Sequence, residues 1–400
     1  MAYNLASMTV RVRSFAKINL GLCIGAARDD GFHELLTLYQ TIGLHDFIRV
    51  SVGRGSGIEI RCTDARVPKD ESNTCYRIVE MAMAAMNSKG RVTIDIEKRL
   101  PVQGGMGGAS SNAVAALLGL ERVLKKTLSS EERLGIAAEV GSDLPLFLVG
   151  GTVLGVGRGE QVYPLADLPA MACVVVTPEV GVSTPKAFAE WDRRVESSQR
   201  LKPSSSLDGY GAEKKAELRS AWTGKGARPH TSSIELRLTG QPGACPELVE
   251  GAAVPSHPAP TKTVITQCSA AKLTVAEASD RMSLLGRRFS AWLSESYSGA
   301  PFRRGRAENP LLELVRAGIK NDFEEVVFPE YPELSEGKKA LERAGARYAS
   351  LSGSGSTLYG LFASKKAAGA AVTKLRRQGW ATKATVTMTR LQYWREIFAR

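Results

Sequence analysis

From Thr9 to Phe15 apolar and polar residues alternate, the period of a half-buried strand, and residues 18–26 (INLGLCIGA) continue in β-compatible residues. A turn at Arg28-Asp29-Asp30-Gly31 follows, and the spacing after it predicts a short helix near 32–40. Two strands are predicted at 46–52 and 57–62, joined as a hairpin. Residues 73–87 carry helical spacing with Asn73 at the start, and 91–98 return to period two. The run Pro101–Asn112 (PVQGGMGGASSN) opens directly into a helix whose Val114, Leu117, Leu118, Val123 and Leu124 fit one buried face. A second helix near 129–140 stops at Gly141, and Ser142-Asp143-Leu144-Pro145 leads into a glycine-punctuated strand region. Asp143 therefore sits in a tight connection. Helices are predicted at 276–295, 309–319 and 332–344, and the C-terminal part reads strand, SGSGS loop, strand, helix (365–378), strand. The order is that of an α+β protein.

About Arg200 to Thr261 the pattern breaks: seven of the chain's 18 prolines fall there with few periodic apolar runs, the composition of an insertion without its own core. The remainder of the 400 residues, at 43% hydrophobic and 24% charged, suffices for two ordinary domains. The first residues lack a signal-peptide core and no stretch approaches the roughly 20 apolar residues of a membrane span, so the expectation is a cytoplasmic protein. Six cysteines without a C-x-x-C pair suggest reduced thiols rather than zinc or a disulfide framework. A net charge of +12 suits either a nucleic-acid binder or a protein that takes a polyanionic small molecule.

Motifs discriminate further. In residues 104–112 the glycines let backbone N–H groups approach an anion, the following helix presents its positive end, and Ser110 and Ser111 add hydroxyl donors. A Walker loop would end in Gly-Lys-Ser/Thr, a Rossmann loop would follow the first strand, and a protein kinase would carry H-R-D and D-F-G; none is present. The loop resembles that of the GHMP kinases, as do Ala16-Lys17-Ile18-Asn19-Leu20 and Ser352-Gly353-Ser354-Gly355-Ser356, in the same order and spacing. Gly31-Phe32-His33-Glu34-Leu35, Ser142-Asp143-Leu144-Pro145, Ser183–Phe188 (STPKAF) and Asn321-Asp322-Phe323-Glu324 narrow the resemblance to the branch that phosphorylates 4-diphosphocytidyl-2-C-methyl-D-erythritol. Gln103 and Ala109 depart from the small residues or glycine common in that loop, and Phe32 stands where tyrosine is common.

The resemblance implies a two-domain GHMP kinase fold: a ribosomal-protein-like domain at 9–165 and a ferredoxin-like α/β domain at 166–400, interrupted by the insertion at about 200–261. It implies ATP as co-substrate with Mg²⁺, a cytidine-diphosphate-linked substrate, and a monomer or weak homodimer without membrane or nucleic-acid partners. Lys17 and Asp143 become the catalytic pair, Asp143 as base toward a tertiary hydroxyl and Lys17 as its counter-charge. Taken singly, each would read as a solvated charge or a turn former. Pro101, Val102, Gln103, Gly104, Gly105, Met106, Gly107, Gly108, Ala109, Ser110, Ser111 and Asn112 form the ATP cradle, with Asn73 and Lys98 beside it. Asn19 and Thr184 contact the substrate, Phe32 and Phe188 sandwich the cytosine, His33 reads its edge, and Gly353, Ser354 and Gly355 close the site. Two rival readings stay open: another GHMP kinase acting on mevalonate, homoserine or a sugar, and a basic nucleic-acid-binding protein.

Overall fold

The computed structural model describes residues 8–200, without the side chains of 198–200, and 320–398. The expected insertion and the helices expected at 276–295 and 309–319 lie outside them. The described residues belong to one compact unit built on two sheets. In the first, β1 (Thr9–Ala27) runs antiparallel to β2 (His33–Gly53), and the order continues β3 (Ile58–Cys62), β4 (Arg91–Glu97), β2, β5 (Thr152–Val156), β6 (Gln161–Pro164).

The helix expected at 32–40 is absent: that segment is the first half of β2. Its residues Leu36 to Ile42 are all buried, polar Thr37, Gln40 and Thr41 included, and β2 pairs with β1 on one edge and β5 on the other. Buried polar residues at 37, 40 and 41 blur the period-two signature of the strand. The expected 46–62 hairpin also fails, since β4 inserts between β2 and β3 and pairs with β3 in parallel. The crossover is supplied by α1 (Thr74–Ala85), as a parallel pair requires.

Helix α2 (Gly108–Leu124) was expected to bury one face. Instead it is buried continuously from Ser111 to Glu121, packed on β1 and β2 below, α1 beside it and α4 (Leu144–Val149) at its start. Gly119 has the room this demands, for a Cβ there would come within 2.8 Å of Val50. Helix α3 (Ser130–Val140) starts with a capping box between Ser129 and Glu132.

The second sheet has the order β10 (Thr382–Val386), β7 (Ala172–Val176), β9 (Leu358–Phe362), β8 (Tyr348–Leu351), all antiparallel neighbours. Helices α5 (Thr184–Arg200), α6 (Phe323–Glu330), α7 (Pro332–Arg343) and α8 (Lys365–Arg377) accompany it, and α9 (Arg390–Glu396) returns to the first core through Tyr393. One apolar cluster combines Ala16, Ile18 and Leu20 of β1 with Cys173, Val175, Tyr359 and Leu361 of the second sheet, so β1 is covered on both sides. Among the described cysteines, Cys23, Cys75 and Cys173 are buried, Cys62 is half-buried, and none of the four forms a disulfide. Burial pushes the Cys75 thiol up to about 12. Cys245 and Cys268 lie outside the described residues.

Candidate active site

Register irregularities in the β1–β2 ladder, between Phe15 and Ala16 and again between Asn19 and Gly21, bracket Lys17 and Asn19. Two residues apart on a strand, these side chains share a face while Ile18 turns to the core. The backbone N–H of Lys17 donates to Met106 O at 3.0 Å, which ties the strand to the glycine-rich loop.

Lys17 is 3% exposed. Its Nζ donates to Asn19 Oδ1 at 2.7 Å and stands 3.3 Å from Asp143 Oδ2. Asn19 Nδ2 donates to Thr37 Oγ1 at 2.8 Å, and Thr37 passes its hydrogen to Gly21 O. Asn19 is thus spent on holding Lys17. Asp143 occupies the N-cap position of α4 but makes no cap bond there; its side chain is 31% exposed, and Oδ1 accepts from the Tyr39 hydroxyl at 3.0 Å. The expected pair therefore meets, and Tyr39 and Thr37 join it.

The loop before α2 turns through three left-handed residues: Gln103 (φ 59°), Gly105 (φ 72°) and Gly107 (φ 67°), the last capping the helix. Gln103 tolerates that conformation at a cost of about 1–2 kcal/mol, and its side chain is exposed rather than in the loop's interior. No acidic residue stands in the first turn of α2, leaving its positive end open to an anion. Ser111 and Asn112 do not face that end. Both are buried and bond Ser14, at 2.5 Å between hydroxyls and 2.6 Å to Asn112 Oδ1. This corrects the expectation of two hydroxyl donors: the helix phase set at Gly107 turns Ser111 inward, and Ser110, half-buried, is the hydroxyl left at the helix start.

Lys98 and Asn73 are also engaged. Lys98 Nζ lies 2.6 Å from Asp46, a fully buried carboxylate that further accepts the N–H groups of Arg99 (2.6 Å) and Leu100 (2.7 Å) and so fixes the chain just ahead of Pro101. Asn73 caps α1 through Cys75 N and donates to Pro68 O. Each end of its amide thus makes one hydrogen bond within the turn.

Residues 352–357 press against this loop. Ser352 Oγ donates to Gly105 O at 3.0 Å and Thr357 N to Gly104 O at 3.3 Å. A Cβ on Gly353 would lie 3.5 Å from Lys17 Nζ. Asn321 Nδ2 holds the carbonyls of Leu351 (2.9 Å) and Gly353 (2.7 Å), while Glu324 Oε1 accepts from Ser350 Oγ and Leu351 N. Ser354 shares a hydrogen bond of 2.7 Å with Thr184 at the start of α5.

The expected aromatic sandwich is not assembled. The Phe188 ring stacks on His33 (centroids 4.8 Å apart, 12° between planes) and meets Phe323 edge to face, while Phe32 is half-exposed under the Arg158 guanidinium at 5.0 Å. His33 Nε2 is 2.7 Å from Asp192. His33 begins β2, whereas Phe32 still belongs to the turn before it, and the two rings have different neighbours. Tyr39, Asp46, Arg158 and Asp192 were not found from sequence; reading 33–41 as a strand would have put Thr37 and Tyr39 on one face and exposed the signal.

Two family descriptions match the chain: GHMP kinases N terminal domain over residues 73–151 and GHMP kinases C terminal over 306–380. The 4-diphosphocytidyl-2-C-methyl-D-erythritol kinase of Solibacter usitatus is 30% identical over 356 residues, 89% of this chain and 82% of that protein. Its counterpart in Rhodococcus jostii is 43% identical over 185 residues, 46% of this chain, and the match spans 60% of the relative's length. A crystal structure of 4-(cytidine 5'-diphospho)-2C-methyl-D-erythritol kinase has the same fold, with a TM-score of 0.56 at 24% identity, covering 94% of this chain and 98% of that one. Among the described residues no helix is long and apolar enough to cross a membrane.

Proposed function

Since the chain belongs to the 4-diphosphocytidyl-2-C-methyl-D-erythritol kinase family of GHMP kinases, we propose that it transfers the γ-phosphoryl group of ATP to the 2-hydroxyl of that diphosphocytidyl erythritol. The observation that carries this reading is the Lys17–Asp143 pair, 3.3 Å apart beside the glycine loop. Asp143 takes the hydroxyl proton as its oxygen attacks the γ-phosphorus, the bond to the β–γ bridging oxygen breaks, and ADP leaves. The Lys17 ammonium, buried and fixed by Asn19, stabilises the negative charge that spreads over the transferring group. Because its position is set before substrate arrives, little reorganisation accompanies the reaction.

The polyphosphate lies along residues 103–108 at the positive end of α2, with Ser110 as the side-chain hydroxyl at its edge. That neutral set of amides and a hydroxyl fits magnesium carried largely by the phosphate oxygens, where it offsets their charge. Lys98 and Asn73 serve this end indirectly, by fixing the loop and α1. A domain division at about residue 165 and a cytoplasmic setting, where ATP is at hand, belong to the same reading.

Cytosine stacks on the aromatic group of Phe32, His33 and Phe188. Asp192, 2.7 Å from His33 Nε2, holds the His33 ring in its stack on Phe188. Phe188→Ala is expected to raise the KM for the cytidine substrate roughly 5- to 150-fold while leaving that for ATP within twofold. Steady-state kinetics in each substrate check this, and a defect confined to ATP would place Phe188 at the other end.

The direct test is incubation with ATP, Mg²⁺ and the cytidine-diphosphate substrate. A monophosphorylated product, with none from mevalonate or homoserine, is the expected result; turnover of either of those alone would favour the other GHMP kinases. Salt-dependent RNA binding without ATP turnover would favour the nucleic-acid reading.

A further inference from the structure

We propose that Tyr39 is a positioning residue for the phosphoryl transfer, acting by fixing the rotation of the Asp143 carboxylate. The proposal rests on the reading of Asp143 as the base. Two groups hold that carboxylate from different strands: the Lys17 ammonium of β1 by an ion pair with Oδ2 at 3.3 Å and the Tyr39 hydroxyl of β2 by a hydrogen bond to Oδ1. With both oxygens held, the group cannot turn about Cβ–Cγ, and the lone pairs left over point in fixed directions from its partly exposed edge. Held by Lys17 alone, it would swing about a single contact. A base misplaced by a fraction of an ångström loses much of its advantage, since proton transfer needs heavy atoms about 2.6–3.2 Å apart.

Three further observations make this a built arrangement. Tyr39 is 2% exposed, so its hydroxyl has left water for this one carboxylate. Burial first, and then the Asp143 charge, hold the phenol well above the usual tyrosine range, with Glu160 of the β5–β6 turn adding to it. The phenol therefore stays protonated throughout the working pH range, and the hydrogen runs from Tyr39 to Asp143. Finally, two glycines clear space for the ring. A Cβ on Gly155 would come 2.5 Å from Tyr39 Cε2, and one on Gly159 would collide with the hydroxyl itself. Lys17 Nζ stands 5.4 Å from the ring centroid, so the same side chain also borders the ammonium.

Tyr39→Phe deletes the hydroxyl and keeps the ring and its packing, with melting temperature as the control for folding. The expected result is a kcat lowered about 10-fold, KM values for ATP and the cytidine substrate within twofold of wild type, and an unchanged melting temperature. Combined with Asp143→Asn, it should add less than a twofold further loss, because the group it orients is gone. A wild-type kcat in Tyr39→Phe, or a 10-fold loss that persists in the Asp143→Asn background, would overturn the proposal. If Asp143→Asn alone keeps a near-normal kcat, the base reading itself fails, and the Tyr39 role falls with it; if Asp143→Asn is inactive and Tyr39→Phe is not, Tyr39 alone is refuted.

Discussion

Asp143→Asn is expected to lower kcat by roughly 10²–10⁴-fold with the KM for ATP little changed. The substitution keeps the side chain's size but removes the proton acceptor and the charge opposite Lys17. ATP binding is spared because the loop at 101–107 and the start of α2 touch neither oxygen of Asp143. The fold should survive, because Asp143 is partly exposed and does not cap α4, but the buried Lys17 ammonium loses its counter-charge, so a lowered melting temperature is expected with it. Lys17→Ala should be similarly damaging to kcat but less benign, since it strips Asn19 of its partner at 2.7 Å. If the two groups serve one transition state, the double variant will be far less impaired than the product of the single effects. Steady-state kinetics on the four proteins of this cycle provide the measurement. A near-normal kcat in Asp143→Asn would leave catalysis to Lys17, the loop and the nucleotide's own metal.

Gly105→Ala is expected to be the most damaging single methyl in the molecule. At φ 72° an alanine is strained by about 1–2 kcal/mol, and its Cβ would overlap the Ser352 carbonyl oxygen and lie 2.9 Å from Gly355 O. Both obstacles are backbone, so neither can rotate aside. Relief requires the loop to part from residues 352–355, with a combined cost of roughly 2–4 kcal/mol. The measurable outcome is a melting temperature lower by roughly 5 °C or more and a KM for ATP raised at least 10-fold. Gly108→Ala is the control. That glycine is helical, and its added Cβ meets Lys98 Nζ at an ordinary 3.4 Å, so stability should hold or rise slightly. Equal behaviour of the two variants would show that the contact between the loops is dispensable.

Residues that carry chemistry in consecutive motifs were legible: Lys17 with Asn19, the 101–112 loop, Asp143 and 352–356 are all brought to one place. What escaped depends on partners far along the chain. The stretch His33–Ile42 has apolar residues at 35, 36, 38 and 42, compatible with a helix face; only β1 and β5 on its two edges make it a strand, and with that error Tyr39 disappeared from view. Ser111 and Ser110 are equivalent in a motif, and the helix phase set by Gly107 alone decides which turns to Ser14. His33 was read as facing cytosine by its side chain, but its stack on Phe188 and its bond to Asp192 come from α5, some 150 residues later in sequence terms. The run VVV in β7 is a fully buried strand without alternation, the pattern least separable from a helix core.

The hydrogen bond from Ser352 to the Gly105 carbonyl joins positions 247 residues apart. At a synthesis rate of roughly 5–20 residues per second, about 12–50 seconds separate the emergence of the two from the ribosome. Until then the nascent chain carries a glycine loop without the contacts from Ser352 and Thr357, so the proposed ATP cradle is completed late. If the proposed activity holds, a chain truncated before the Ser352 segment is expected to be inert rather than slow.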